Sequence, residues 1–233
     1  MQPGCTPRLH ADSGGAGGSR PASAIITPRT LTIGGIVTRL ELDQITLDRD
    51  SYTAVRADAR KRMLAIRRSR RVQLGKLIAL EFENEETLHY QVQEMVYAEN
   101  ITTGSGAAEE IETYRRLLPT TRSVSATLFL EFGDPATVRG DLDGVAGIQH
   151  PIRLQVGDDV IAAVDVPPPD EANEEQTYSV HFVRFDITQE QREALANLTV
   201  PASLSVEHPK FQAAVPVPAE LRAQLIVDLT APA

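Results

Sequence analysis

Ile152, Leu154 and Val156 alternate with Arg153 and Gln155, and after Gly157-Asp158-Asp159 a second apolar stretch runs from Val160 to Val166. Alternation with a period of two buries one face of a strand, and a Gly-Asp turn between two such runs is a hairpin signal. Strands joined so tightly run antiparallel, because a parallel pair needs a crossover of roughly a dozen residues. A doubly wound parallel sheet, the competing architecture, is disfavoured on this ground.

The remaining segments fit the same frame. Ile78, Leu80 and Phe82 alternate in KLIALEFEN, as do Val124, Ala126, Leu128 and Leu130 between Ser123 and Phe132. Tyr178 to Ile187 is apolar on both parities, as a central strand is. Leu204 and Val206 mark a further strand, and Ala213 to Val217 an edge strand limited by Pro216. Spacings of three and four join Tyr52, Val55, Ala59, Met63 and Ile66 in a helix, with Asp50 as its cap and Gly75 as its end. Helices are also read over Thr87 to Glu99, over Ala107 to Leu118, from Thr188 with its capping partner Gln191 to Asn197, and from Pro218 to Leu229. Asp134-Pro135 opens a helical turn toward Gly147, and VPPPDEANEEQ reads as a surface loop. The expected fold class is α+β: a mainly antiparallel sheet with helices packed on one face, in a single domain of residues 40–233. Residues 1–39 are dominated by Gly, Ser, Pro and Ala at their start and read as a disordered tail. Within that tail the in-frame Val37 reads as an alternative start.

Cys5 is the sole cysteine, which excludes an intramolecular disulfide and a thiolate metal cluster. No window approaches the roughly 20 apolar residues of a membrane-spanning helix, and the first residues lack the apolar core of a secretory signal. A cytoplasmic protein without membrane contact is expected. The net charge of −9 conceals an asymmetry: residues 51–76 hold nine basic side chains against Asp58 alone, the first 50 residues are neutral, and residues 77–233 therefore carry −17. Such an acidic body repels a polyanion and weighs against nucleic acid. Arg60, Arg67, Arg68, Arg70 and Arg71 exceed what the helix dipole uses, since that effect is confined to the last turn. They pair with the acidic body or form a docking site for an acidic partner; the sequence leaves both open.

The run RRVQLGKLIALEFENEETLHYQVQEMVYAENI, then LFLEF, IRLQVG, HFVRF and VEHP, in this order between Leu40 and Leu229, resembles the bacterial family grouped as domain of unknown function 3501. The resemblance implies genomic company with a rubrerythrin-like di-iron protein and an Fe–S oxidoreductase of the heterodisulfide-reductase type. It thereby implies a link to peroxide or redox stress, and it supplies no catalytic residues.

Candidate chemistry is sparse. No GxGxxG, P-loop, GxSxG or HExxH occurs, so no cofactor is identified. Glu86 and His89 have the ExxH spacing of di-iron bundles, but only one such motif is present, and His89 is read as a surface residue. His150 and His208 sit at strand ends with apolar parity and His181 lies inside the central strand; if those strands adjoin, the three imidazoles could form a metal site. On the opposite parity, Arg153 and Arg184 stand among Glu81, Glu83, Glu131 and Glu207, suited to ion pairs or to an anionic ligand held by both arginines and rimmed by Glu81 and Glu131. The expected function is a non-catalytic accessory or interaction protein of a cytosolic redox system. The alternative is a small metal- or anion-dependent enzyme using His181, Arg184, Glu207 and His208. Oligomeric state is left open.

Overall fold

Short-range signals set most element ends. Asp48, not Asp50, caps the first helix: its carboxylate accepts the Ser51 N–H at 2.9 Å, and helix α1 runs over Arg49–Arg70. Val55 is exposed, so the buried stripe narrows to Tyr52 and Met63 with Ala59 and Ile66 at its margins. The chain then enters β1 (Arg71–Leu74) without a loop, where the sequence reading continued the helix toward Gly75. Val72 and Leu74 point into the core there, and pairing with β2 (Ile78–Phe82) overrides helical propensity. Asn84 and Thr87 cap α2 (Glu85–Ala98) reciprocally, and Thr103 caps α3 (Gly104–Arg115), three residues ahead of the expected start. There follow β3 (Ser123–Leu130), β4 (Ile152–Val156), β5 (Asp159–Asp165) and β6 (Val180–Asp186). The Thr188/Gln191 box opens α4 (Gln189–Ala196); β7 (Ala202–His208), β8 (Phe211–Pro216) and α5 (Ala219–Thr230) complete the chain.

These elements belong to a unit spanning Ile36–Ala233, and the computed structural model describes residues 40–132, 142, 144–166 and 178–230 of the chain. The expectations for residues 1–39 with Val37, for Asp134-Pro135 and for 167–176 lie outside the described residues.

All strand pairs are antiparallel, in the order β1-β2-β3-β6-β5-β4-β7-β8. The hairpin turns at Gly157, whose φ of 61° suits glycine, and β6 is central as its apolar character requires. The sheet curls nearly into a barrel, which brings its two edges together: the Phe211 ring of β8 lies over Gly75, just past β1.

The helices do not share one face, which corrects that part of the sequence expectation. Leu195 of α4 and Leu221, Leu225 and Leu229 of α5 join Leu80, Phe82, Leu128, Phe185 and Leu204 in the inner core. Leu88, Val92, Ala107 and Ile111 of α2 and α3 form a second core, against which Phe182 packs from the outward side of β6. A curled sheet with apolar residues on both sides of β2 and β6 requires cover on both.

Gly75 has φ 63°, and a Cβ there would sit 2.9 Å from Phe211 Cζ. Gly75→Ala is therefore expected to destabilise the fold by about 1–2 kcal/mol from the left-handed backbone alone, measured as a lowered urea midpoint. A variant as stable as the parent would mean that the chain does not hold the left-handed turn at Gly75.

Candidate functional site

The helix-to-strand junction after Arg70 sorts the basic residues. Helical side chains step by 100° and strand side chains by 180°, so neighbouring arginines leave the backbone on different sides. Arg70, 2% exposed, turns inward: Nε donates to Phe82 O at 2.8 Å, Nη2 to Glu83 O at 3.1 Å, Nη1 to Gln224 Oε1 at 3.1 Å, and Nη2 pairs with Asp228. Arg71 turns to the outer face, where it pairs with Glu81 and, at 2.6 Å, with Glu131; Arg67 Nε lies 3.4 Å from Glu81. Gln73 Nε2 donates to Glu131 at 3.0 Å. Further along α1, Arg56 grips Glu94 of α2 through Nε at 2.9 Å and Nη2 at 2.7 Å, and Tyr52 donates to the same carboxylate at 2.7 Å. These bonds, Arg56 first, hold the Glu94 carboxyl below its usual range.

Arg67, Arg70 and Arg71 are thus committed within the chain, as the acidic-body reading expected. Arg60 and Arg68 are not, and with them stand Lys61 and Arg62. All four are exposed, and none makes an ion pair or side-chain hydrogen bond with another described residue. Arg60, Leu64 and Arg68 follow one another at i, i+4, i+8 on one stripe, and Leu64 is 61% exposed. An apolar side chain framed by cations that are unpaired among the described residues is a feature sequence reasoning had only as a charge run. Its signal was the spacing of Leu64 outside the buried stripe.

The other candidate residues are dispersed. Glu81 and Glu131 do come together, but around Arg71. Arg153 lies opposite Ala162 and Arg184 opposite Val164, with β5 between them. Arg153 donates to His150 O at 2.6 Å and Ile152 O at 2.9 Å, and Arg184 Nε to Asp186 at 2.8 Å, so the two guanidiniums serve separate local partners. The proposed quartet of His181, Arg184, Glu207 and His208 is split twice. β5 and β4 stand between β6 and β7, and alternation puts His181 and His208 on the side opposite Arg184 and Glu207. His208 Nδ1 accepts the Lys210 N–H at 3.3 Å, leaving Nε2 to donate to Ala146 O at 3.2 Å. Among the described residues no three His, Cys, Asp or Glu side chains could hold a metal ion, so His150, His181 and His208 do not form the ligand set that strand parity allowed. His89 is half-buried rather than a surface residue; its Nε2 meets Gln44 O at 2.9 Å and ties α2 to the short turn of Leu42–Gln44. No helix of the described residues is long and apolar enough to cross a membrane.

Comparison with known proteins decides the family. Residues 39–229 match the family described as Protein of unknown function (DUF3501). The chain belongs to the DUF3501 family. A solved structure similar to this DUF3501 chain is that of a novel protein of unknown function from Burkholderia pseudomallei K96243. It has 28% sequence identity and a TM-score of 0.75, and the match covers 82% of this chain and 99% of that one. No curated protein matches the chain.

Proposed function

We propose that this chain is a non-catalytic interaction protein that docks an acidic protein through the outward side of α1. The observation behind this reading is the division of the basic residues: among the described residues Arg60, Lys61, Arg62 and Arg68 make no ion pair or side-chain hydrogen bond, while Arg56, Arg67, Arg70 and Arg71 are engaged. Unpaired cations on an exposed helix steer an anionic surface into contact. Leu64 between Arg60 and Arg68 gives the contact an apolar centre, and arginine is among the residues that carry binding energy once desolvated. The genomic company implied by the family resemblance names two partners to try first, the rubrerythrin-like protein and the Fe–S oxidoreductase, in a cytoplasmic peroxide-stress setting.

The test is binding of each purified partner from the same host to the parent and to Arg60→Glu/Arg68→Glu. Loss of affinity of roughly tenfold or more at low salt is expected, from lost steering, and the parent's affinity should itself fall as salt shortens the Debye length to about 8 Å at 0.15 M. The melting temperature should hold, since both side chains are exposed and unpaired. Unchanged affinity in the double variant, or no binding by the parent, would remove the reading.

A further inference from the structure

We propose that Glu83 is kept as a neutral carboxylic acid in the folded chain and latches the start of α2 to β3, a latch that ionisation loosens. Glu83 stands between β2 and Asn84, the cap residue of α2, and is 2% exposed. Its backbone N–H donates to Ser125 O of β3 at 2.8 Å. Thr127 of β3 meets one carboxyl oxygen and Thr87 of α2 the other, so one carboxyl spans both elements.

Counting protons gives the neutral form one more hydrogen bond than the ionised form. Thr87 Oγ1 accepts the Asn84 N–H at 2.9 Å and lies within hydrogen-bond distance of two further oxygens, Asn84 O at 3.0 Å and Glu83 Oε2. A hydroxyl has one proton to give. If that proton goes to Asn84 O, the contact with Glu83 needs a second proton, which a neutral carboxyl supplies. Thr127 then donates to Oε1, the carboxyl O–H donates to Thr87, and Thr87 donates to Asn84 O, with every contact satisfied. An ionised Glu83 would hold Thr87 by taking that proton, and Asn84 O would keep only the Leu88 N–H that it accepts at 3.0 Å.

The surrounding charges are already balanced. Arg67 of α1 faces Glu83 but lies against Glu81, which pushes the other way from β2. Arg70 donates to the Glu83 backbone carbonyl and pairs with Asp228 of α5; from α3 the neighbour is the phenol of Tyr114, and from β3 the hydroxyl of Thr127. Among the described residues no uncommitted cation faces the carboxyl. Burial is the largest influence and raises its pKa; the two hydroxyls and Arg67 oppose it.

The sign follows by linkage. A carboxyl whose folded pKa is raised binds its proton more tightly in the folded chain than at its unfolded value of about 4.3. Its stabilisation is complete below that unfolded value and is lost as pH rises through the folded one. In the full chain, melting temperature should fall with rising pH on the order of 3–5 °C per unit from about pH 5 until Glu83 ionises. In Glu83→Gln, whose amide donates and accepts as the neutral acid does, the profile should be shallower than the parent's, keeping only what the other raised carboxyls, Asp228 and Glu110, contribute. Infrared spectra at pH 7 should show a carboxylic-acid carbonyl band that Glu83→Gln lacks. Parallel pH profiles for the two proteins, or no such band in the parent, would overturn the proposal. Should Glu83→Gln fail to fold, Thr127→Val decides: deleting the hydroxyl bound to Oε1 must shift the band, and an unmoved band would assign it elsewhere.

Discussion

Arg70→Met is expected to cost about 3–5 kcal/mol of folding stability, the range for breaking a buried ion pair by removing one member. Asp228, nearly buried on α5, would be left without its cation, and the carbonyls of Phe82 and Glu83 would lose a donor. At about 2–4 °C per kcal/mol for a domain of this size, the melting temperature should drop on the order of 10 °C. The double variant Arg70→Met/Asp228→Leu separates pairing from packing. Replacing a buried pair by apolar groups is often neutral or better, so the double variant should recover much of the loss. If Arg70→Met alone melted within a degree or two of the parent, the clasp of α1 and β2 to α5 would not contribute to stability.

Arg222→Met should be comparably damaging for a different reason. Arg222 is 5% exposed and meets no carboxylate among the described residues; its guanidinium instead donates to Val200 O at 2.7 Å, Leu195 O at 2.6 Å, Asn197 O at 2.9 Å and Ala194 O at 3.3 Å. These are the last carbonyls of α4 and the turn behind it; Ala194 O and Asn197 O also accept the N–H groups of Asn197 and Val200, and Leu195 O is among the terminal carbonyls a helix leaves without intrahelical partners. No basic side chain occupies the last turn of α4 itself, so α5 supplies the cap. Each buried acceptor left unmade costs about 1–3 kcal/mol. With part of the turn open to water, a total of about 2–4 kcal/mol is expected. Amide hydrogen exchange should accelerate first in α4, and Arg222→Lys should restore only part of the protection, because an ammonium lacks the planar fork that reaches several carbonyls at once. Uniform exchange rates in α4 across parent and variant would contradict the capping role.

The exposed cations and the core arginines arise from one run of basic residues, and the run was legible while its division was not. Arg67, Arg68, Arg70 and Arg71 look alike in sequence. Their fates separate only because α1 stops at Arg70, which depends on β1 finding β2, and because Glu81 of β2, Glu131 just past β3 and Asp228 of α5 arrive from elsewhere in the chain. The histidines carry the same lesson in reverse. Parity alone allowed His150, His181 and His208 to converge, but strand order, which parity does not contain, placed β5 and β4 between β6 and β7.

Features encoded within a few residues were settled by the chain's own local chemistry: the Gly157 turn, the Thr188/Gln191 cap, the proline-limited edge at β8, the start of α5 after Pro218 and the antiparallel pairing itself. Each follows from a backbone angle, one hydrogen bond or a period of two, all within reach of near neighbours. The conversion of residues 71–74 from helix to strand, the sharing of helices between both faces of a curled sheet and the burial of Glu83 were decided by tertiary packing. These depend on contacts between residues distant in the chain, where burial against a specific partner outweighs the weak preference of any short segment.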